Sequence, residues 1–327
     1  MRFYDKEEAL KLLNELGKWD DPFIFAASFN ETRTFISLLK DINPDELLYS
    51  FPGFRNDEDL SAQRPERIEW NTCPESPESY REKFGIVRRN IYAGNSFLVN
   101  LTCAVPVVTN LAPKEIFLLS DAPYKLWMKD RFVCFSPETF VRIKNGIISS
   151  YPMKGTLSSS VPDAENVLMQ DRKEAAEHAT VVDLIRNDLS SVAENVRVSR
   201  YRYVERLHTN KGDILQSSSE ISGELPQDYR NHIGDIIFSQ LPAGSITGAP
   251  KSKTVEIIRE AEDYERGFYT GIAGICCRGE LTSAVLIRYV EETPDGLVFK
   301  AGGGITCNSV CEDEYNEVIQ KAYVPVY

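Results

Sequence analysis

Two stretches of this chain carry carboxylates at one spacing. In "DRKEAAEHATVVDLIRNDL", Glu174 and Glu177 lie three residues apart; in "CEDEYNEVIQK", Glu314 and Glu317 repeat the interval, with Lys321 four residues further on. An offset of three on a helix turns the side chain by about 60°, so each pair shares a face. Two such faces turned toward one another could hold a hard divalent cation. Mg²⁺ takes one or two carboxylates from a protein and fills its shell with water and substrate oxygens. Helix glutamates are more often simply solvated, so their surroundings decide.

Those surroundings are rich in glycine. "KAGGGITCNS" precedes the second pair, and Gly302, Gly303 and Gly304 in succession cost backbone entropy while allowing close approach and exposing N–H groups that can cradle an oxyanion. "QLPAGSITGAPKSKTVEIIREAE" offers a similar device. Gly244 and Gly248 permit approach, Ser245 and Thr247 carry hydroxyls, and Pro250 stands at the first turn of a helix whose positive dipole end would face a ligand. The spacing is not that of a phosphate-binding GxxxxGK[ST] loop. Two cations complete the set: Arg288 in the apolar "SAVLIRYVEE" and Lys154 in "YPMKGT". On their own, Arg288 could as well be a solvent-facing strand-end residue, and Lys154 reads more readily as an exposed loop lysine.

The elements that would position these residues are legible in outline. "ESYREKFGIVRRNIYAGN" reads as a helix and "SFLVNLTCAVPVV" as a strand. "RFVCFSPETFVRIKNGIISSYPMKGT" reads as strand, turn and strand with "KNG" as a hairpin. "DAENVLMQDRKEAAEHATVVDLIRNDLSSV" is the strongest helix, another runs from about Lys251 to Glu262, and a closing helix begins near Glu312. "YTGIAGICCRGELTSAVLIRYVEE" and "GLVFKAGGG" follow as hairpin-connected strands. Strands arriving in hairpins among helices predict an α+β fold, a single domain of antiparallel sheets over residues 1–327. Residues 1–77 read as a short irregular segment and 78–327 as the motif-bearing core.

The chain has 327 residues and a formal net charge of −12, which argues against general nucleic-acid binding. An acidic ligand would need a local cationic pocket or a metal. Seven cysteines without a CxxC pair suit a reduced, cytoplasmic protein. No segment resembles a signal peptide or a membrane span.

Taken together, the segments resemble the chorismate-utilising enzymes. The carriers are "FSPETF", "MKGT", "AEHATVVDLIRNDL", "PAGSITGAPK", "YTGIAG", "LIR" and "AGGGI", in that family's order from about Ile91 to Lys321. The resemblance implies an acidic ring substrate, chorismate, wrapped by the SITGAPK loop and the AGGGI turn. It implies Mg²⁺ on Glu177 and Glu317, with Glu174 and Glu314 as neighbouring carboxylates. Arg288 and Tyr269 match the residues that hold the pyruvyl carboxylate, with Thr247, Gly248, Gly303, Gly304 and Lys321 as further substrate-binding positions.

Within the family, the closest resemblance is to aminodeoxychorismate synthase component I, which aminates chorismate toward 4-aminobenzoate and folate. Lys154 matches the lysine that attacks C2 of chorismate in those synthases, and Glu138 the carboxylate that manages protons beside it. Leu98 stands where the isochorismate and salicylate synthases resemble a lysine that activates water, and a leucine cannot take a proton. Gln216 replaces the family's histidine in "MHLVS", which weighs against the alternative, anthranilate synthase component I. Ammonia is then expected from solution or a separate glutaminase subunit. The short N-terminal part predicts no tryptophan feedback site. A non-catalytic scaffold for a glutaminase is the remaining alternative, and Lys154, Arg288 and the four glutamates count against it.

Overall fold

In the computed structural model, which describes residues 1–207 and 213–325, every strand pairing is antiparallel. The strands form one sheet of ten and one of nine, stacked face to face. Helices cover both outer faces, so the α+β single domain expected from the sequence is what the chain forms.

The strands that frame the site are, along the chain, β1 (Leu98–Thr109), β2 (Phe132–Ser136), β3 (Thr139–Lys144), β4 (Met153–Ser158), β5 (Ile214–Glu224), β6 (Glu280–Val285), β7 (Tyr289–Thr293) and β8 (Gly296–Ile305). Strands β3 to β6 belong to the larger sheet, and β1, β2, β7 and β8 to the smaller. Four helices matter here: α1 (Pro77–Tyr92), α2 (Arg172–Leu189), α3 (Lys251–Ala261) and α4 (Cys311–Lys321). Helix α2 lies on the outer face of the larger sheet through Val181, Val182, Ile185 and Leu189. Helices α1, α3 and α4 cover the smaller one through Phe84, Ile257 and Val318.

Two of the chain's crossings between the sheets are short and lie at the site. The chain passes from β2 to β3 through Pro137-Glu138, and from β6 to β7 through Leu286–Arg288. The crossings are tied to each other: the Phe135 N–H donates to Arg288 O at 3.1 Å, and Val285 N–H to Glu138 O at 3.2 Å. Arg288 is therefore not mid-strand, as the apolar run around it suggested. It sits in the bend, at φ 53°.

Two other expectations change. Residues 1–77 are not irregular: Phe23–Ala27 pairs with Ile272–Cys276 in the larger sheet, and Leu47–Ser50 with Lys125–Met128 in the smaller. "FIFAA" hides this because both of its faces are buried, Phe23 and Phe25 toward the outer helices and Ile24 and Ala26 between the sheets. No polar alternation then marks the strand. The long helix around Glu174 is two helices, because Asp171 turns the chain at ψ 112° and caps α2 by accepting from Glu174 N–H at 3.0 Å.

Candidate active site

Where the sheets join, β1, β4, β8, α2 and α4 enclose a cavity of about 570 Å³. Glu174 and Glu177 reach it from α2, Glu314 and Glu317 from α4, Lys154 from β4, and Glu138 and Arg288 from the two crossings. Tyr269, Gly303, Gly304 and Lys321 also line it. Residues separated by up to 223 positions, Asn100 to Tyr323, thus meet in one space.

The charges are interleaved. Lys154 Nζ lies 3.2 Å from Glu177 Oε2. Lys321 Nζ lies 2.5 Å from Glu317 Oε1 and donates to Gly302 O at 2.9 Å. Arg288 donates to the Lys321 carbonyl at 3.0 Å, with its guanidinium 5.0 Å from the Tyr323 ring centroid. Glu138 accepts from Ser245 Oγ at 2.6 Å. Burial pushes its carboxyl above the ordinary range, against the Ser245 hydrogen bond and the charges of Lys154 and Lys321, which pull it down. Tyr269 is buried too, and burial raises its phenol.

The three glycines form no turn. They lie in β8 with Gly302 opposite Thr102, Gly303 opposite Leu101 and Gly304 opposite Asn100. Asn100 and Thr102 donate their N–H groups elsewhere, to Thr247 O and Glu262 Oε1, both at 2.9 Å. Gly302 and Gly304 therefore occupy non-hydrogen-bonded pairs, and their amides face away from β1 on the cavity side. Gly303 contributes room: a Cβ there would lie 3.2 Å from Glu314 Oε2 and 3.7 Å from Glu317 Oε1. A Cβ on Gly304 would lie 3.7 Å from Lys154 Nζ, and one on Gly155, at φ 73°, 3.3 Å from Glu174 Oε2.

Thr247 and Gly248 do not line the cavity, and neither does the start of α3. Only Ser245 and Ile246 of that loop reach it. Gly248 and Ala249 pair with Val99 and Leu98, which turns the loop away, and the Thr247 hydroxyl is spent on Ala243 O at 2.8 Å. Gly248 has a structural duty: at φ 126°, a Cβ would fall 1.9 Å from Leu98 O. Gly248→Ala is expected to cost about 3 kcal/mol or more of stability in urea unfolding, and a loss below about 0.5 kcal/mol would contradict the geometry.

Sequence reading passed over Asn100, Lys300 and Gln320, which also line the cavity. Asn100 was reachable by strand alternation from Leu98, and Gln320 by helical spacing from Glu317. Lys300 is buried and committed: its ammonium lies 2.8 Å from Glu291 and donates to Glu265 O and Arg266 O.

His178 follows Glu177 on α2, and its Nε2 lies 2.6 Å from Ser219 Oγ. The side chain is 1% exposed, and burial first, then the charges of Arg202 and Lys154, lowers its pKa to about 4. Its folded value lies below the unfolded one of about 6.5, so the neutral ring's contribution is complete above that pH and is lost as pH falls toward 4. From pH 7 to 4.5 the wild type should lose about 2–3 kcal/mol more stability in urea unfolding than His178→Gln, at about 1.36 kcal/mol per pKa unit. Parallel pH profiles would refute this.

Glu174, Glu177, Glu314 and Glu317 are the residues that could hold a divalent cation. Four carboxylates from α2 and α4, with Glu138, share the cavity with Lys154, Arg288, Lys300 and Lys321, a formal excess of one negative charge. Among the described residues no three His, Cys, Asp or Glu side chains converge tightly enough to hold an ion by themselves. An ion here would complete its shell with water or substrate oxygens, as Mg²⁺ commonly does.

Fold and cavity together define a protein whose joined antiparallel sheets hold cations and carboxylates around a space for a small polar ligand. Residues 26–326 match the family of chorismate binding enzymes, and the chain belongs to it. The chain is 45% identical over 313 residues to an uncharacterised PabA-like protein of Haemophilus influenzae, covering 96% of this chain and 95% of that one. It is 30% identical over 275 residues to aminodeoxychorismate synthase component 1 of Bacillus subtilis, covering 80% of this chain but 57% of the synthase. Anthranilate synthase component I of Streptococcus pneumoniae shares the fold, with a TM-score of 0.75 at 22% identity over 97% of this chain and 85% of that one. The protein is a chorismate-utilising enzyme of the aminodeoxychorismate and anthranilate synthase type. Among the described residues no helix is long and apolar enough to cross a membrane.

Proposed function

We propose that the chain converts chorismate and ammonia to 4-amino-4-deoxychorismate, with the ammonia delivered by a separate glutaminase subunit. The observation that carries this is Lys154, whose Nζ stands in the cavity 3.2 Å from Glu177 and beside the space left open at Gly304. A lysine there can attack ring carbon C2 through its neutral amine as the C4 hydroxyl leaves as water. Ammonia then attacks C4, the C2–N bond breaks, and the lysine is regenerated. One water is released for each ammonia taken up.

The other residues divide the remaining work. Arg288, fixed by the Lys321 carbonyl and Tyr323, binds one substrate carboxylate, with the Gly304 amide beside it. Glu177 and Glu317 would hold Mg²⁺, which when bound supplies a positive partner for the other carboxylate. Glu138, with its carboxyl raised by burial, takes and returns protons near Lys154. Leu98 is buried against Gly304 and leaves no base to activate water at that corner. Gln216 lines the cavity where a proton donor for pyruvate elimination would serve an anthranilate synthase, and a carboxamide cannot fill that role.

The test is consumption of chorismate with and without ammonium and Mg²⁺. A requirement for both is expected. Consumption indifferent to ammonium would overturn the amination.

A further inference from the structure

Helix α1 packs on α4 and carries a buried hydroxyl that has no partner among the described residues. Tyr80, on α1, is 0% exposed, and its buried Oη makes no hydrogen bond to the described residues. Its ring packs 5.4 Å from that of Tyr315, which lies between Glu314 and Glu317 in the chain. Tyr315 uses its own hydroxyl, donating to Glu75 O at 2.6 Å. Glu314, the residue before it, is itself buried at 6% exposure.

A buried hydroxyl without a partner costs free energy, and phenylalanine would fill the same space without that cost. The site's charge reaches this group. The phenol is held far above its ordinary range by burial first, then by Cys103 and by Glu314, with Glu317 contributing less. It is thus a buried donor whose electrostatic neighbours include Glu314 and Glu317.

We propose that Tyr80 is a positioning residue for the metal site: when a divalent cation is held between α2 and α4, the Tyr80 hydroxyl donates to the Glu314 carboxylate and fixes its orientation. Partners behind the ligands of a metal commonly set affinity in this way. The inference rests on the magnesium reading of the four glutamates and goes beyond it by assigning a residue of α1.

The test titrates Mn²⁺ alone into the full chain, counts bound metal by electron paramagnetic resonance, and measures Tm without metal. Tyr80→Phe keeps the ring and removes only the donor. Expected is a loss of about 10–100-fold in Mn²⁺ affinity, with Tm of the metal-free protein unchanged or higher. Unchanged affinity would overturn the proposal, as would a loss of affinity accompanied by a lower metal-free Tm, which would make Tyr80 a packing residue. If the wild type binds no Mn²⁺, the magnesium reading itself fails, and this inference fails with it.

Discussion

Lys154→Ala is expected to lower the rate of amination by about 10³–10⁴-fold, the scale on which removal of one reacting group acts, while chorismate affinity changes less than about 10-fold. The asymmetry follows from the role. A group that bonds to the ring in the reaction contributes to the transition state, whereas in the proposed site the substrate's carboxylates would be held elsewhere, on Arg288 and the metal. Lys154 also neighbours Glu177 at 3.2 Å, so alanine removes a charge as well as a nucleophile. Lys154→Arg separates the two: it keeps the charge and is expected to be as slow as alanine, because a guanidinium does not act as the attacking amine. Single-turnover rates beside equilibrium chorismate titrations make the measurement. Recovery of activity in the arginine variant would reduce Lys154 to an electrostatic contact.

The second large effect belongs to Glu317→Gln. The substitution is nearly isosteric and removes one carboxylate from a cavity where five face three lysines and Arg288. Its partner, Lys321, keeps a second bond to Gly302 O at 2.9 Å, so the local structure has a reason to persist. The account predicts a loss of about 10²–10³-fold in Mg²⁺-dependent turnover, with Tm within about 3 °C of the wild type. Raising Mg²⁺ should recover part of the rate if affinity is what fell. Turnover close to wild type at all Mg²⁺ concentrations would remove Glu317 from the metal site.

The carboxylates were legible because helical spacing is a local rule. Glu174 and Glu177 on α2, like Glu314 and Glu317 on α4, present one face however the helices pack. What sequence could not supply was the crossing of the chain between sheets. Glu138 and Arg288 owe their places to two short bends hydrogen-bonded to each other, a long-range relation that no local pattern carries. The glycines were half legible. "GLVFKAGGG" reads as a strand, which pairing with β1 bears out, but the turn implied at AGGGI does not form, and only that register exposes the Gly304 amide and opens space for Glu314 at Gly303. Thr247 and Gly248 followed the same logic in reverse, since pairing of Gly248 with Val99 draws them out of the cavity. Tyr80 stayed invisible because a helix tyrosine among apolar neighbours reads as core, which its ring is.

The most direct test of the central claim is the identity of the product. Purified protein, chorismate, Mg²⁺ and ammonium at alkaline pH would be resolved by mass and ultraviolet spectrum. The expected product is an aminated ring that still carries its enolpyruvyl group, with no free pyruvate. Anthranilate with stoichiometric pyruvate would contradict it, and would assign Lys154 and Gln216 to a different reaction in the same cavity.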